Sequence, residues 1–334
     1  MTKMANSNGM DCRKDNKILV SVIVPVYNQE RYVSDTIISI ARQKCNFNYE
    51  VIIADDCSQD NTYGICLDVA KANEGNVLLF KNERNLGLLG NIFKALFPRC
   101  RGQFIAICAG DDVWNNENKI QQQVEYLQHH LDCSCVHTGY IKEFEESGKR
   151  EVRNSWESPL LNNYGKPMAS EVVKETFTSF PVASSIMFRS DVLHNYRQFI
   201  EVAIKDPFAR GEAMILFPIL ALSGKFGYLK DSMVSYRVLS SSASHFKDDK
   251  IKEKFNLFYL FQKLNTIKLL KLGTVMKLLF NIKVIKDFLF YAKKSTNIEL
   301  KDYLQQYKNS PTYNLYPGVD ILIELGLCFK NQNR

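Results

Sequence analysis

Apolar residues in this chain follow two alternating rhythms. ILVSVIVPVYN (18–28) is a continuous β-branched run that suits a strand buried on both faces, and Pro25 and Asn28 stop it. Over 29–43, Val33, Ile37, Ile38 and Ile40 fall at helical spacing. The alternation then repeats. YEVIIADDCSQDNT (49–62) reads as a strand, YGICLDVAKAN (63–73) as a helix and NVLLFKN (76–82) as a strand. GNIFKALFPRC (90–100) reads as a short helix and GQFIAICAG (102–110) as a fourth strand. A helix with a stripe of Ile120, Val124, Leu127 and Leu131 follows, then a strand over 136–144. Across 145–171 the pattern dissolves, which predicts a long loop. Strand character returns at 179–190, and 209–229 predicts a helix stopped by Gly224 and then a short strand.

Strands and helices in that order predict an open parallel sheet with helices on both faces, in which ligands bind beyond the carboxyl ends of the strands. The polar clusters fall at those ends: YN, DDCSQDN, NERNLG and GDD. The last of these puts two adjacent carboxylates, Asp111 and Asp112, at the tip of an apolar strand. Like charges at the edge of a core repel, and desolvation makes this worse. A basic side chain, helix-terminus donors or a metal ion must offset them, and the pattern leaves these three open.

Composition narrows the class. The chain has 334 residues, 46% hydrophobic and 24% charged, as expected of a folded protein of one or two domains. No window approaches the roughly 18 apolar residues of a spanning helix. The polar start lacks a signal-peptide core, so residues 1–17 are expected to be a disordered leader and the protein cytoplasmic. Nine cysteines occur without a C-x-x-C pair, which predicts free thiols in a reducing compartment.

The net charge of +7 is concentrated rather than spread: 251–294 holds ten Lys, no Arg and two acids, leaving the rest of the chain near −1. This block predicts a basic helical region over 246–334. It either contacts an anionic membrane, peripherally on its inner face, or packs on the catalytic domain with its lysines in water. The lack of Arg argues against nucleic acid.

No G-x-G-x-x-G, P-loop, H-E-x-x-H or G-x-S-x-G motif is present. VSVIVPVYN (20–28), EVIIADDCSQDNT (50–62), NLGLLGN (85–91) and ICAGDDVW (107–114) instead resemble, in order, the motifs of the family-two glycosyltransferases. The likeness runs over about 18–245. It implies a GT-A fold, a Rossmann-like mostly parallel sheet flanked by helices. A nucleotide-sugar-binding half would cover 18–115 and an acceptor and catalytic half 116–245. It also implies a nucleotide-sugar donor, UDP-linked, a glycan or lipid-linked acceptor, Mn²⁺ or Mg²⁺, and inversion at the anomeric carbon. By analogy the pathway is assembly of a surface polysaccharide.

Carried over residue by residue, the resemblance implies that Pro25 and Tyr27 line the nucleotide pocket, with Tyr27 against the base. Asp56 accepts from a uracil N–H, and Asp55 shapes that turn. Asn85 and Gly87 sit near the ribose and diphosphate. Asp111 and Asp112 fall on the D-x-D metal motif. Glu212 takes the place of the base, with Glu201, Asp206 and Glu175 as rivals. SYRVLSSSASH (235–245) resembles the segment that closes over the diphosphate, where Arg237 either holds a phosphate or pairs with an acid. Trp114 either packs the turn or stacks on a sugar. Ala109 stands where an acid is common, and Leu239 where His is common, with His245 farther along. These departures motivate an alternative, a nucleotide-sugar or glycan-binding member without turnover. A sugar nucleotidyltransferase is a further alternative, though PVYNQERY lacks the Gly-rich basic loop such enzymes carry.

Overall fold

The computed structural model of the chain describes residues 17–72, 76–153, 181–205 and 211–239. The region 246–334, most of the leader, His245, Glu175 and Asp206 lie outside the described residues. The unbroken apolar run becomes β1 (Ile18–Val26), buried from Val20 to Val26 because it is covered on both faces. It pairs in parallel with β2 (Asn48–Asp55) on one side and β4 (Phe104–Ile107) on the other. β3 (Val77–Lys81) extends the parallel set beyond β2. This is the parallel sheet that the alternating pattern predicts.

Beyond β4 the sheet becomes mixed. β5 (Val113–Trp114), β6 (Cys133–Phe144), β7 (Arg150–Arg153), β8 (Ile186–Arg189) and β9 (Lys225–Val238) complete the order β3-β2-β1-β4-β8-β6-β9-β5, with β7 added on β6. β8 is antiparallel to β4 and β6, and β5 is antiparallel to β9, while β6 and β9 run parallel. Two expectations change here. Part of the predicted loop over 145–171 is strand β7, which forms a hairpin with β6 through Gly148 at φ 63°. The predicted short strand after Gly224 is the 14-residue β9. Its polar Lys230 and Asp231 interrupt the apolar pattern at a register shift against β6.

Helices cover both faces. α1 (Val33–Ala41), α2 (Thr62–Ala72) and α4 (Lys119–His129) pack on one, around Val22, Val24, Ile37, Ile53 and Val124. On the other face lie α3 (Gly87–Gly90), α5 (Asp191–Asn195), α6 (Arg197–Ala203) and α7 (Ala213–Ser223), around Ile23, Ile105, Phe188 and Phe217. α3 runs on through a π-helical turn, Asn91–Leu96, and a 3₁₀ turn, Phe97–Arg99. Gly224 ends α7 where its backbone meets the start of β6: a Cβ there would stand 2.7 Å from Asp132 O and 2.8 Å from Ser134 N. Among the described residues no helix is long and apolar enough to cross a membrane.

Candidate active site

The parallel strands finish at one edge, and their tips are locally strained. Asn28 after β1 and Cys57 after β2 adopt φ values of 52° and 63°, unusual for non-glycine residues. Side chains hold them there. Asn28 N donates to Ser58 Oγ at 3.0 Å, and Gln59 N donates to Asn28 Oδ1 at 2.8 Å. Asp55 is fully buried. Its Oδ2 accepts from Ser58 N at 3.2 Å, while Oδ1 has no partner among the described residues.

Asp56 is buried as well, and its Oδ1 accepts from Asn82 Nδ2 and Leu86 N, each at 2.8 Å. Asn82 also donates to Asn91 Oδ1 at 3.0 Å, and Asn91 Nδ2 reaches Ala54 O at 2.8 Å. The π-helical turn therefore anchors the loop after β3 to the tip of β2. Asn85 Oδ1 accepts from Gly87 N at 2.8 Å, and Gly87 itself needs its φ of 70°. Tyr27 stands exposed at the tip of β1. Pro25 lies buried within the strand. Ile23 O accepts from Cys108 N, so Pro25, two residues on, points its missing donor past the end of the β4 pairing.

At the tip of β4 the chain turns through Gly110, where a Cβ would collide with Val26 Cγ1 and Gln29 Oε1. Thr36 of α1 clamps this turn by donating towards Gly110 O and Asp112 O at 2.9 and 2.7 Å. Asp112 is 1% exposed. Its Oδ2 accepts from Ser184 Oγ, and its Oδ1 accepts from Arg237 N at 3.1 Å. The antiparallel pairing of β5 with β9, Val113 opposite Ser235, is what brings Arg237 here. The guanidinium of Arg237 binds neither acid's carboxylate. It donates to the main-chain O of Asp111 at 3.2 Å and to Asp35 Oδ2 at 2.9 Å, and lies over the Tyr32 ring.

Burial pushes the Asp111 carboxyl up, against a smaller opposing pull from its own backbone amide and from Arg237. Burial and then the neighbouring Asp111 push Asp112 well up, with Ser184 and Arg237 opposing. Of the three candidates for offsetting the two charges, the basic side chain is present, but its guanidinium is directed at Asp35 and a carbonyl. Trp114 is buried, its Nε1 donating to Ser184 O at 2.9 Å, so it packs the turn rather than facing a sugar. Beneath it lies Lys119, fully buried, with Nζ 2.8 Å from Gln123 Oε1 and 4.0 Å from the Trp114 ring.

Glu212 immediately precedes α7, half-buried, with no side-chain cap bond; burial pushes its carboxyl up. α7 ends against the start of β6, through Ser134 Oγ to Leu220 O at 2.7 Å. Its beginning therefore lies toward the edge of the sheet that carries Asp112. Of the rivals, Glu201 is engaged by Arg197 at 2.9 Å on the surface of α6.

These residues fit a hard divalent cation. Asp111 offers a carboxylate to which no other side chain hydrogen-bonds among the described residues, and it lies beside a second carboxylate that burial also disfavours as an anion. The described residues assemble no group of three or more His, Cys, Asp and Glu, so a diphosphate and water would complete the shell. Sequence reasoning missed Ser184, Thr36, Asn82 and Asp35. Ser184 stands 72 residues from Asp112, and the pairing of β8 with β4 brings them together.

Comparison with known proteins identifies the family and the fold. The family described as glycosyl transferase family 2 matches residues 21–197. The poly(ribitol-phosphate) beta-N-acetylglucosaminyltransferase TarS of Staphylococcus aureus is 33% identical over 118 residues, 35% of this chain and 20% of that protein. The UDP-Glc:alpha-D-GlcNAc-diphosphoundecaprenol beta-1,3-glucosyltransferase WfgD of Escherichia coli is 35% identical over 109 residues, 33% of this chain and 41% of that protein. These matches span less than half the length of either relative.

The crystal structure of TarS 1–349 with UDP superposes with a TM-score of 0.60 at 15% identity, over 95% of this chain and 92% of that one. The mannosyltransferase PcManGT of Pyrobaculum calidifontis, solved with GDP-Man and Mn²⁺, gives 0.53 at 13% identity, over 95% and 88%. At such identities the likeness is one of fold, and that fold is of GT-A type.

Proposed function

The chain belongs to glycosyl transferase family 2, and from that premise we propose that it moves a sugar from a UDP-sugar to a glycan or lipid-linked acceptor, with inversion, in surface-polysaccharide synthesis. The observation that carries the reading is the acid pair at the tip of β4, Asp112 buried and Asp111 half-buried, beside a guanidinium that is bound elsewhere. A divalent ion, Mn²⁺ or Mg²⁺, would bind at Asp111 and Asp112 and supply charge neutralisation to the departing diphosphate.

The chain's own groups do the rest. Asp56 holds the loop after β3 with Oδ1, and its other oxygen has no hydrogen bond among the described residues, so it is free for a uracil N–H. Asp55 Oδ1, buried and without a partner among the described residues, lies at the same tip. Tyr27, exposed there, covers the base, and Asn85 and Gly87 approach the ribose and diphosphate. Glu212 accepts the proton of the acceptor hydroxyl as that oxygen bonds to the anomeric carbon and the bond to the diphosphate oxygen breaks. A carboxylate whose pKa burial has raised suits this task. WfgD is named for a UDP-sugar donor and a lipid-diphosphate-linked acceptor, which supports the same pairing here. The basic block 251–294, outside the described residues, would meet the anionic membrane that carries such an acceptor.

A thermal-shift panel of UDP, GDP, UDP-glucose and UDP-N-acetylglucosamine, each with and without Mn²⁺, tests donor and metal together. The expected result is a shift with UDP ligands that grows when Mn²⁺ is added. A chain indifferent to every nucleotide in both conditions would overturn the reading. A second reading, binding without turnover, rests on Ala109 and on Leu239, which is buried. It predicts the same shifts with no donor hydrolysis and no transfer.

A further inference from the structure

The Asp112 carboxylate is oriented by a serine from a distant part of the chain. Ser184 lies on the 3₁₀ turn Ala183–Ser185 that leads into β8, and it is 1% exposed. Its Oγ accepts from Ala109 N at 3.0 Å and donates to Asp112 Oδ2. A hydroxyl has one proton. With the Ala109 amide as donor on one side, that proton is committed to Asp112 on the other. The turn itself is fixed by Trp114 Nε1, which donates to Ser184 O at 2.9 Å, and by Gln123 Nε2, which donates to Ser185 O at 2.9 Å.

Asp112 Oδ1 meanwhile accepts from Arg237 N at 3.1 Å. Both oxygens are thus held by neutral donors, which sets the plane of the carboxylate. A carboxylate offers about four lone-pair sites, so two remain. Resting on the metal reading above, we propose that Ser184 is a positioning residue for the cation site: its hydrogen bond fixes the plane of Asp112, and so aims that acid's remaining lone pairs at an ion shared with Asp111.

Ser185 supplies an internal control. It is equally buried on the same turn, but its Oγ donates to Val182 O at 2.7 Å, and among the described residues it hydrogen-bonds neither acid. The experiment is a titration of the full chain with Mn²⁺ in the presence of UDP, followed by electron paramagnetic resonance of the free ion. UDP binding in EDTA is measured in parallel.

Removing an outer hydrogen bond to a metal ligand typically weakens metal affinity 10–100-fold. Ser184→Ala is expected to weaken Mn²⁺ by about tenfold or more, leaving UDP binding in EDTA unchanged, while Ser185→Ala binds Mn²⁺ like the wild type. If Ser184→Ala does not fold, Ser184→Cys carries the same expectation, since a thiol keeps the shape and donates only weakly. Wild-type Mn²⁺ affinity in a folded Ser184 variant, or equal weakening in Ser185→Ala, would overturn this inference alone. A wild-type chain that takes up no Mn²⁺ with UDP present would overturn the metal reading beneath it.

Discussion

Two buried acidic sites lie at opposite ends of the same strands and are completed in different ways. At the starting end, Glu50 is 2% exposed, and its Oε1 accepts from Ser21 Oγ at 2.6 Å and Arg101 N at 2.9 Å. Its Oε2 takes the Arg101 guanidinium at 2.8 and 2.6 Å. Every lone pair has a use, and a full counter-charge is in contact. At the finishing end, Asp112 is as deeply buried, but its two partners are a hydroxyl and an amide, and the nearby guanidinium binds Asp35 and a carbonyl. A carboxylate neutralised from within serves the fold. A pair that burial pushes toward protonation, one member of which keeps an open carboxylate, is a place where a cation from outside would lower the free energy.

Crossed substitutions should separate the two sites most widely. Asp111→Asn is expected to lower transfer by about 10³-fold, the loss of several kcal/mol of charge stabilisation, with the thermal midpoint unchanged or raised. Glu50→Gln should leave the Mn²⁺ response intact and cost about 1–3 kcal/mol of stability by denaturant titration. The cost stays in that range because Arg101 is 64% exposed, so its freed guanidinium regains water. If Glu50→Gln removed the metal response, or Asp111→Asn unfolded the chain, the contrast between the two ends would fail.

Lys119 lies fully buried beneath Trp114, and among the described residues no ion pair joins it to Asp111 or Asp112. Burial pulls its amine from the usual 10.5 down to about 7, and its Nζ contacts are Gln123 and the Trp114 ring, with Cys108 near by. Between pH 7 and 10 the unfolded chain therefore carries a proton that the folded chain has released. The sign follows from linkage: stability rises with pH across that window and is lowest below it. Lys119→Met should flatten the profile and stabilise the chain at pH 6 by about 2–4 kcal/mol, less at pH 9, by chemical denaturation at the two pH values. Destabilisation at pH 6 would mean that the charge is used in place, as an internal partner of the acids.

The contrast between the two ends also marks where the sequence stops being informative. Strands β1 to β4, their tips and the acids on them are legible because local pattern governs them: continuous apolar runs, turn residues and adjacent carboxylates. Asp56 could be named as a candidate, but not that Asn82 and the π-helical turn at Asn91 hold it, since no periodicity announces a π turn. The long apolar β9 was only partly visible, because Lys230 and Asp231 break its alternation at the register shift. Ser184 and Asp35 were invisible for a plainer reason. Each acts through one hydrogen bond across 72 and 202 residues, and a lone Ser or Asp has no pattern of its own. Residue type shows what chemistry is possible, while strand order decides which residues share it.

The smallest effect belongs to Asp35, and it asks whether Arg237 serves the protein or the donor. The pair is open to water on one side: Asp35 is 63% exposed and Arg237 19%. An ion pair of that kind is worth about 0.2–1 kcal/mol. If Arg237 must turn to a donor phosphate, Asp35 competes with that phosphate for the guanidinium. Asp35→Asn should then lower the donor KM by about two- to fivefold with kcat unchanged, and the gain should shrink in high salt. A KM that rises instead would show that Asp35 holds Arg237 in the position the donor needs. The guanidinium would then be a fixed part of the finishing end, as Arg101 is of the starting end, and the difference between the two ends would rest on the open carboxylate of Asp111 alone.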